Sequence, residues 1–188
     1  MKKTLSIICI LITSALVAFF WVKIDSFLTR KNHPLEYSEY VEKYASEYAV
    51  PKELVYGVIK TESDFKSDAV SHKGAVGLMQ IMPETYIWLC EKNSDENDNP
   101  DLLYTPEVNI RYGVFYLSML YSQFGNWENA LAAYNAGPTN VKGWLNDSDI
   151  SENGVLVNIP YEETRKYVEK VMSAKDNYKE LYFSEDIK

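Results

Sequence analysis

The longest apolar stretch comes first: residues 4–22, TLSIICILITSALVAFFWV, hold nineteen uncharged positions behind Lys2 and Lys3. A helix of about 20 apolar residues spans a hydrocarbon core of roughly 30 Å. Residues 1–22 therefore read as a membrane anchor, or as a signal peptide removed after export. The nearest small-residue cleavage candidate, Ala15-Leu16-Val17-Ala18, runs on into Phe19, Phe20 and Trp21 rather than into a polar start. The two lysines favour a cytoplasmic N-terminus and an exported remainder. Residues 23–35 are mixed and polar and read as a tether.

From there on the apolar positions recur with a helical period. Tyr37, Val41, Tyr44, Ala45 and Tyr48 follow the i, i+3, i+4 spacing of an amphipathic helix. Pro51 opens a second helix at its tolerated first-turn position, and Leu54, Val55, Val58 and Ile59 form one stripe along it. Residues 63–77 are rich in Ser, Asp and Gly and predict a loop, followed by a short helix from Pro83 to Cys90. Residues 91–104 predict a polar surface loop. Thr105-Pro106-Glu107 is a helix start, with a capping hydroxyl, a first-turn proline and an acid. That helix stops at Gly125; another covers Trp127 to Ala136 and ends at Gly137-Pro138. Residues 146–158 predict a loop, and Pro160 opens a last long helix to Tyr182. With no convincing strand pair, residues 36–188 are expected to form one all-α domain of about six to eight helices.

Charge and composition narrow the classes. Without residues 1–30 the chain keeps 15 basic and 26 acidic side chains, a formal charge of −11. Nucleic acid, which needs a basic footprint, is excluded. An anionic polymer would have to be gripped locally, by neutral polar and aromatic groups, and fifteen tyrosines and four tryptophans are available. Cys9 lies in the apolar run and Cys90 is the only other cysteine, so no intramolecular disulfide is expected. His33 and His72 do not make a multi-histidine site. Neither a metal nor a cofactor is called for.

Counting in fours from Leu54 through Val58 reaches Glu62, so a carboxyl continues an apolar stripe. A carboxyl on the core side is desolvated, holds its proton toward neutral pH and suits general acid catalysis; the alternative is a surface glutamate in a last helical turn. Gly77-Leu78-Met79-Gln80-Ile81-Met82-Pro83 places a glutamine among apolar residues beside glycines, which permit close backbone approach. Ala132-Ala133-Tyr134-Asn135-Ala136-Gly137-Pro138 puts two polar tips at the end of a small-residue helix. Each run alone is equally a packing device.

Together they resemble the lytic transglycosylase family, whose fold is related to goose-type lysozyme. The resemblance covers residues 38–178. It is carried in order by Glu62-Ser63-x-Phe65, the run 77–83, Ala133 to Gly137, and Ile159-Pro160-Tyr161-Glu162-Glu163-Thr164-Arg165-Lys166-Tyr167-Val168. Asn109-Ile110-x-x-Gly113-x-x-Tyr116-Leu117 matches a fifth, structural motif. The resemblance implies a lysozyme-like helical domain acting on peptidoglycan glycan strands, with Glu62 as sole acid and base and Ser63 as its support. It also implies substrate contacts from Ser71, Gln80, Met82, Tyr134, Asn135, Glu163 and Tyr167. Arg165 is expected to support Glu163 or the fold through a salt bridge. In the implied reaction Glu62 protonates the bond between N-acetylmuramic acid and N-acetylglucosamine, then takes a proton from the muramyl 6-hydroxyl, leaving 1,6-anhydro ends. Asp64 reads as a loop or capping acid, since i and i+2 leave different faces of a helix. A hydrolytic muramidase of lysozyme type, using water in place of the 6-hydroxyl, is the rival reading. A non-catalytic wall-binding module is another.

Overall fold

Prolines and asparagines set the starts of most helices in the computed structural model, which describes residues 13, 14, 16–21, 23, 24 and 28–184. The first helix of the folded region, α1 (Ser38–Glu47), buries Val41, Tyr44 and Ala45. Pro51 stands just before α2 (Lys52–Glu62), whose residues Leu54 to Ile59 are all buried. Pro83 opens α3 (Pro83–Lys92), two residues beyond the expected end at Cys90. Pro106 opens α4 (Pro106–Phe124), and Gly125 stops it in the left-handed region. The Asn126 side chain caps α5 (Trp127–Ala136) by accepting from the Asn129 amide at 2.7 Å. The remaining helices are α6 (Pro138–Leu145) and α7 (Glu162–Tyr178).

Four local readings change. Gly137-Pro138 ends α5 as expected, but Pro138 is itself the first residue of α6, the position where its missing N–H costs nothing. The loop 91–104 contains a 3₁₀ turn, Pro100–Tyr104, started by the Asn99 side chain. The loop 146–158 contains an antiparallel pair, β1 (Ser151–Glu152) and β2 (Val155–Leu156). The last helix begins at Glu162, and its tail, Lys179–Phe183, is wound as a π turn.

The chain divides into two units, Met1–Pro34 and Leu35–Lys188. Much of the expected anchor, residues 1–12, 15 and 22, lies outside the described residues. Among the described residues no helix is long and apolar enough to cross a membrane.

In the second unit α2 lies along α7. Gly57 explains how closely: a Cβ there would meet the Val171 carbonyl oxygen at 2.9 Å and the Lys175 nitrogen at 3.1 Å. Val55, Val58, Leu117, Leu131 and Val171 are fully shielded in one core, with Cys90 buried as a small apolar group. Burying helix stripes in this way supplies the main stabilisation, at roughly 25 cal/mol per Å² of apolar surface. α5 packs against α4, α6 and α7, and its C-terminal Tyr134 comes near Glu62 at the end of α2.

Candidate active site

Glu62 is the last residue of α2. Immediately after it the chain turns away through Asp64 and Phe65, both in the left-handed region at φ 52° and 65°. A bulky residue with positive φ is strained, and here it is held by burial of the Phe65 ring against Tyr56, 6.3 Å between centroids. The Ser63 hydroxyl donates to the Leu78 carbonyl oxygen at 2.8 Å, fastening the helix end to the loop that follows. Ser63 is thus the support expected of it. Asp64 is exposed and forms an ion pair with Lys60, back on the last turn of α2.

The loop 66–81 is held by backbone and by two of the predicted residues. The Ser71 hydroxyl accepts from the Ala75 amide at 3.0 Å, closing a tight turn. The Gln80 side-chain amide donates to the carbonyl oxygens of Ala69 at 3.1 Å and Gly77 at 2.9 Å. Gly77, at φ 80°, passes so close to Asn109 that a Cβ would lie 2.2 Å from its Nδ2. Asn109, fully buried on α4, accepts from the Met79 amide at 2.8 Å and donates to Val76 and Leu103 carbonyl oxygens at 2.9 and 2.8 Å. Three orphan backbone groups are satisfied by one side chain.

Met79 is the link to α5. Its carbonyl oxygen accepts from the Tyr134 hydroxyl at 2.8 Å. The Tyr134 ring lines a cleft of about 320 Å³ together with Gln80, Met82, Thr85, Tyr116 and Asn135. Tyr167 comes from α7 and is buried beside Glu62.

These surroundings fix the protonation of Glu62. Burial pushes its pKa up to about 7, against a smaller opposing pull from the Tyr167 hydroxyl, which favours the carboxylate. Burial, and then the nearby Glu62 charge, push the Tyr134 and Tyr167 hydroxyls well above the ordinary phenol range. Both tyrosines therefore stay neutral donors where Glu62 ionises. The site is an isolated acid poised near neutrality between two phenols, able to give a proton and take one back.

The remaining predicted residues divide. Asn135 lines the cleft, but its side-chain oxygen accepts from Thr164 at 2.8 Å, so part of it joins α5 to α7. Glu163 is exposed and stands 3.7 Å from Lys73, on the loop that follows Glu62. Arg165 pairs with Glu169 at 3.6 Å, one turn on, and not with Glu163. Glu62, Tyr134 and Tyr167 are thus brought together, as are Gln80, Met82, Tyr134 and Asn135 along the cleft. Ser71 and the Gln80 amide serve the loop that shapes it. Thr85 lies outside the residues singled out in the sequence, though it is readable as the i+3 neighbour of Met82; Thr164 stands within the 159–168 run, where no local pattern assigns it a partner.

The chain matches the Transglycosylase SLT domain family over residues 39–155. It is 37% identical over 159 residues to the soluble lytic murein transglycosylase of Escherichia coli K12, covering 81% of this chain and 24% of that protein. It is 30% identical over 179 residues to membrane-bound lytic murein transglycosylase C of Yersinia pestis, covering 83% of this chain and 49% of that one. Among solved structures it is similar to the 70 kDa soluble lytic transglycosylase of E. coli, with TM-score 0.73 and 35% identity over 82% of this chain and 25% of that one. An inactive glutamate-to-glutamine mutant of the Pseudomonas aeruginosa enzyme superposes with TM-score 0.73 and 35% identity, covering 80% of this chain and 25% of that one. This chain spans about a quarter of the soluble relatives it matches.

Proposed function

The chain belongs to the Transglycosylase SLT domain family, and on that premise we propose that it is a peptidoglycan lytic transglycosylase with Glu62 as its single acid and base. Neutral Glu62 gives its proton to the glycosidic oxygen as the bond from the muramyl anomeric carbon to that oxygen breaks. The carboxylate so formed takes the proton of the muramyl 6-hydroxyl, whose oxygen bonds to the anomeric carbon. Glu62 ends protonated, no water is consumed, and the products are a 1,6-anhydromuramyl end and a free N-acetylglucosamine 4-hydroxyl. Two-carboxylate glycosidases have recognised exceptions in which the substrate's own N-acetyl group assists.

The observation that carries this reading is the position of Glu62, shielded at the end of α2 beside Tyr167: burial favours its proton, and Tyr167 is the group that opposes the rise. A lone, partly buried carboxyl with a pKa of about 7 is suited to both proton transfers at neutral pH. Asp64, the nearest acid in sequence, is engaged with Lys60, which weighs against a second carboxylate positioning water. Tyr134 and Tyr167 orient the carboxyl and the reacting sugar, with Gln80, Met82 and Asn135 along the glycan path and Ser71 and Glu163 at its edges. The uncharged run of residues 4–22 supports placement on the extracytoplasmic side of the cell membrane, anchored or released.

Digestion of purified peptidoglycan, followed by mass spectrometry, tests the proposal. Anhydromuramyl ends from the wild type, absent with Glu62→Gln, are expected. Reducing muramic acid ends would establish the hydrolytic reaction instead, and full activity of Glu62→Gln would remove Glu62 from the chemistry.

A further inference from the structure

We propose that Trp88 is an outer sugar platform of the cleft, on which one pyranose of the glycan strand stacks at a distance from the bond being cut. The inference rests on the glycan-cleaving reading above and adds a residue and a dependence on strand length to it.

A row of three rings leads out from Glu62. Tyr134, whose hydroxyl responds to the Glu62 charge, lies 5.3 Å from Tyr116 between ring centroids. Tyr116 in turn lies 6.2 Å from Trp88. Tyr134 and Tyr116 line the cleft, as does Thr85, one turn before Trp88 on α3. Residues three apart share a helix face, so Trp88 continues the lining of the cleft wall toward solvent.

Trp88 is the most exposed tryptophan among the described residues of the second unit, at 38%. Trp127 lies flat on Tyr121, with 4.1 Å between centroids and 23° between planes. The Trp88–Tyr116 contact is instead edge-on, at 81°. Trp88 is therefore not covered by a stacked ring; the edge contact and the Lys92 ammonium, which lies over one face 5.7 Å from the ring centroid, hold the indole in place, and the pyranose would take the other face. An ordered platform loses little entropy when a ligand settles on it.

The apolar C–H face of a pyranose complements an indole face, whose π cloud is electron-rich. In a chain as acidic as this one, with formal net charge −8, such neutral contacts are a route to an anionic polymer that charge attraction does not supply.

The test measures kcat and KM of the full chain on peptidoglycan glycan strands sorted by length. Trp88→Ala should leave kcat and the rate on the shortest cleavable strands unchanged, and lower kcat/KM on long strands roughly three- to tenfold. Trp88→Phe should restore much of the loss. In parallel, N-acetylglucosamine oligomers titrated into Glu62→Gln should change its tryptophan emission, and the change should vanish in Glu62→Gln/Trp88→Phe. Equal length dependence in wild type and Trp88→Ala, or an emission change that survives in the double variant, would overturn the platform while leaving the cleavage reading intact. A wild type inert on every strand would instead bring down the cleavage reading and this inference with it.

Discussion

Buried beside Glu62, the Tyr167 hydroxyl makes no close hydrogen bond among the described residues, yet it is the group that pulls the Glu62 carboxyl toward ionisation. A buried donor without an acceptor costs about 1–3 kcal/mol, and it becomes useful when a carboxylate forms beside it. That matches a group needed in the second proton transfer, when Glu62 is ionised. Tyr167→Phe removes the hydroxyl. The Glu62 pKa should rise, moving the alkaline limb of the pH–rate profile upward, and kcat should fall because the carboxylate loses a donor. Stability should hold or improve, since no bonded partner is orphaned. Chemical unfolding and a pH series on the variant check both halves; a large loss of stability would mean the hydroxyl is paired after all.

The raised pKa of Glu62 makes folding itself depend on pH. The ordinary value of 4.5 rises to about 7 in the folded protein, so between these limits the native state binds more protons than the unfolded chain. Stability must then fall as pH increases from about 4.5 to about 7, by on the order of 3 kcal/mol in total. Glu62→Gln carries no such penalty. It should be inactive, more stable than the wild type at pH 8, and close to it at pH 4.5. Urea midpoints at the two pH values measure this, and equal midpoints at pH 8 would deny the raised pKa of the carboxyl. For the wild type, kcat should decline as pH rises through about 7, because the acid step needs the proton.

How far the sequence foretold this arrangement differs between elements. The stripe Leu54, Val58, Glu62 was legible because four-residue spacing keeps one helix face, and the face it named is the buried one. α4 and α5 were legible to the residue from Thr105-Pro106, Gly125 and Gly137, whose backbone preferences are local. Pro138 shows the limit: the same dipeptide that ends one helix begins another, and the burial of Val141 that anchors the second helix in the core is a tertiary fact no local pattern reports. Ser71 and Gln80 were matched to substrate contacts, but their polar atoms also have backbone partners. Such partners are set by the path of a long-range loop, which no local pattern reports.

Asn109 holds that loop path, so its removal should be costly. Asn109→Ala leaves the Met79 amide and the carbonyl oxygens of Val76 and Leu103 without their partner, each in a buried setting. At about 1–3 kcal/mol per orphaned group, the loss should reach roughly 3–9 kcal/mol, much of a typical domain's stability of about 5–15 kcal/mol. Gly77→Ala attacks the same contact from the other side, since its Cβ would fall 2.2 Å from Asn109 Nδ2 and 2.5 Å from the Leu103 carbonyl oxygen, at a φ of 80°. Both variants should melt well below the wild type. A near-normal melting temperature for either would show that the loop can take another path.

Tyr134 separates fold from chemistry more finely. Its hydroxyl serves the Met79 carbonyl oxygen at 2.8 Å, so Tyr134→Phe should cost about 1–3 kcal/mol by stranding that oxygen. The same carbonyl belongs to the residue whose amide Asn109 holds. A looser Met79 would disturb Gln80 and Met82 on the cleft wall. The ring itself, against Tyr116, is retained, and Glu62 keeps its burial. Tyr134→Phe is therefore expected to lose activity through kcat and KM together, while the alkaline limb set by Glu62 stays near pH 7. A displaced limb with unchanged stability would instead make the Tyr134 hydroxyl a partner of Glu62 during the reaction, released from Met79 when substrate binds.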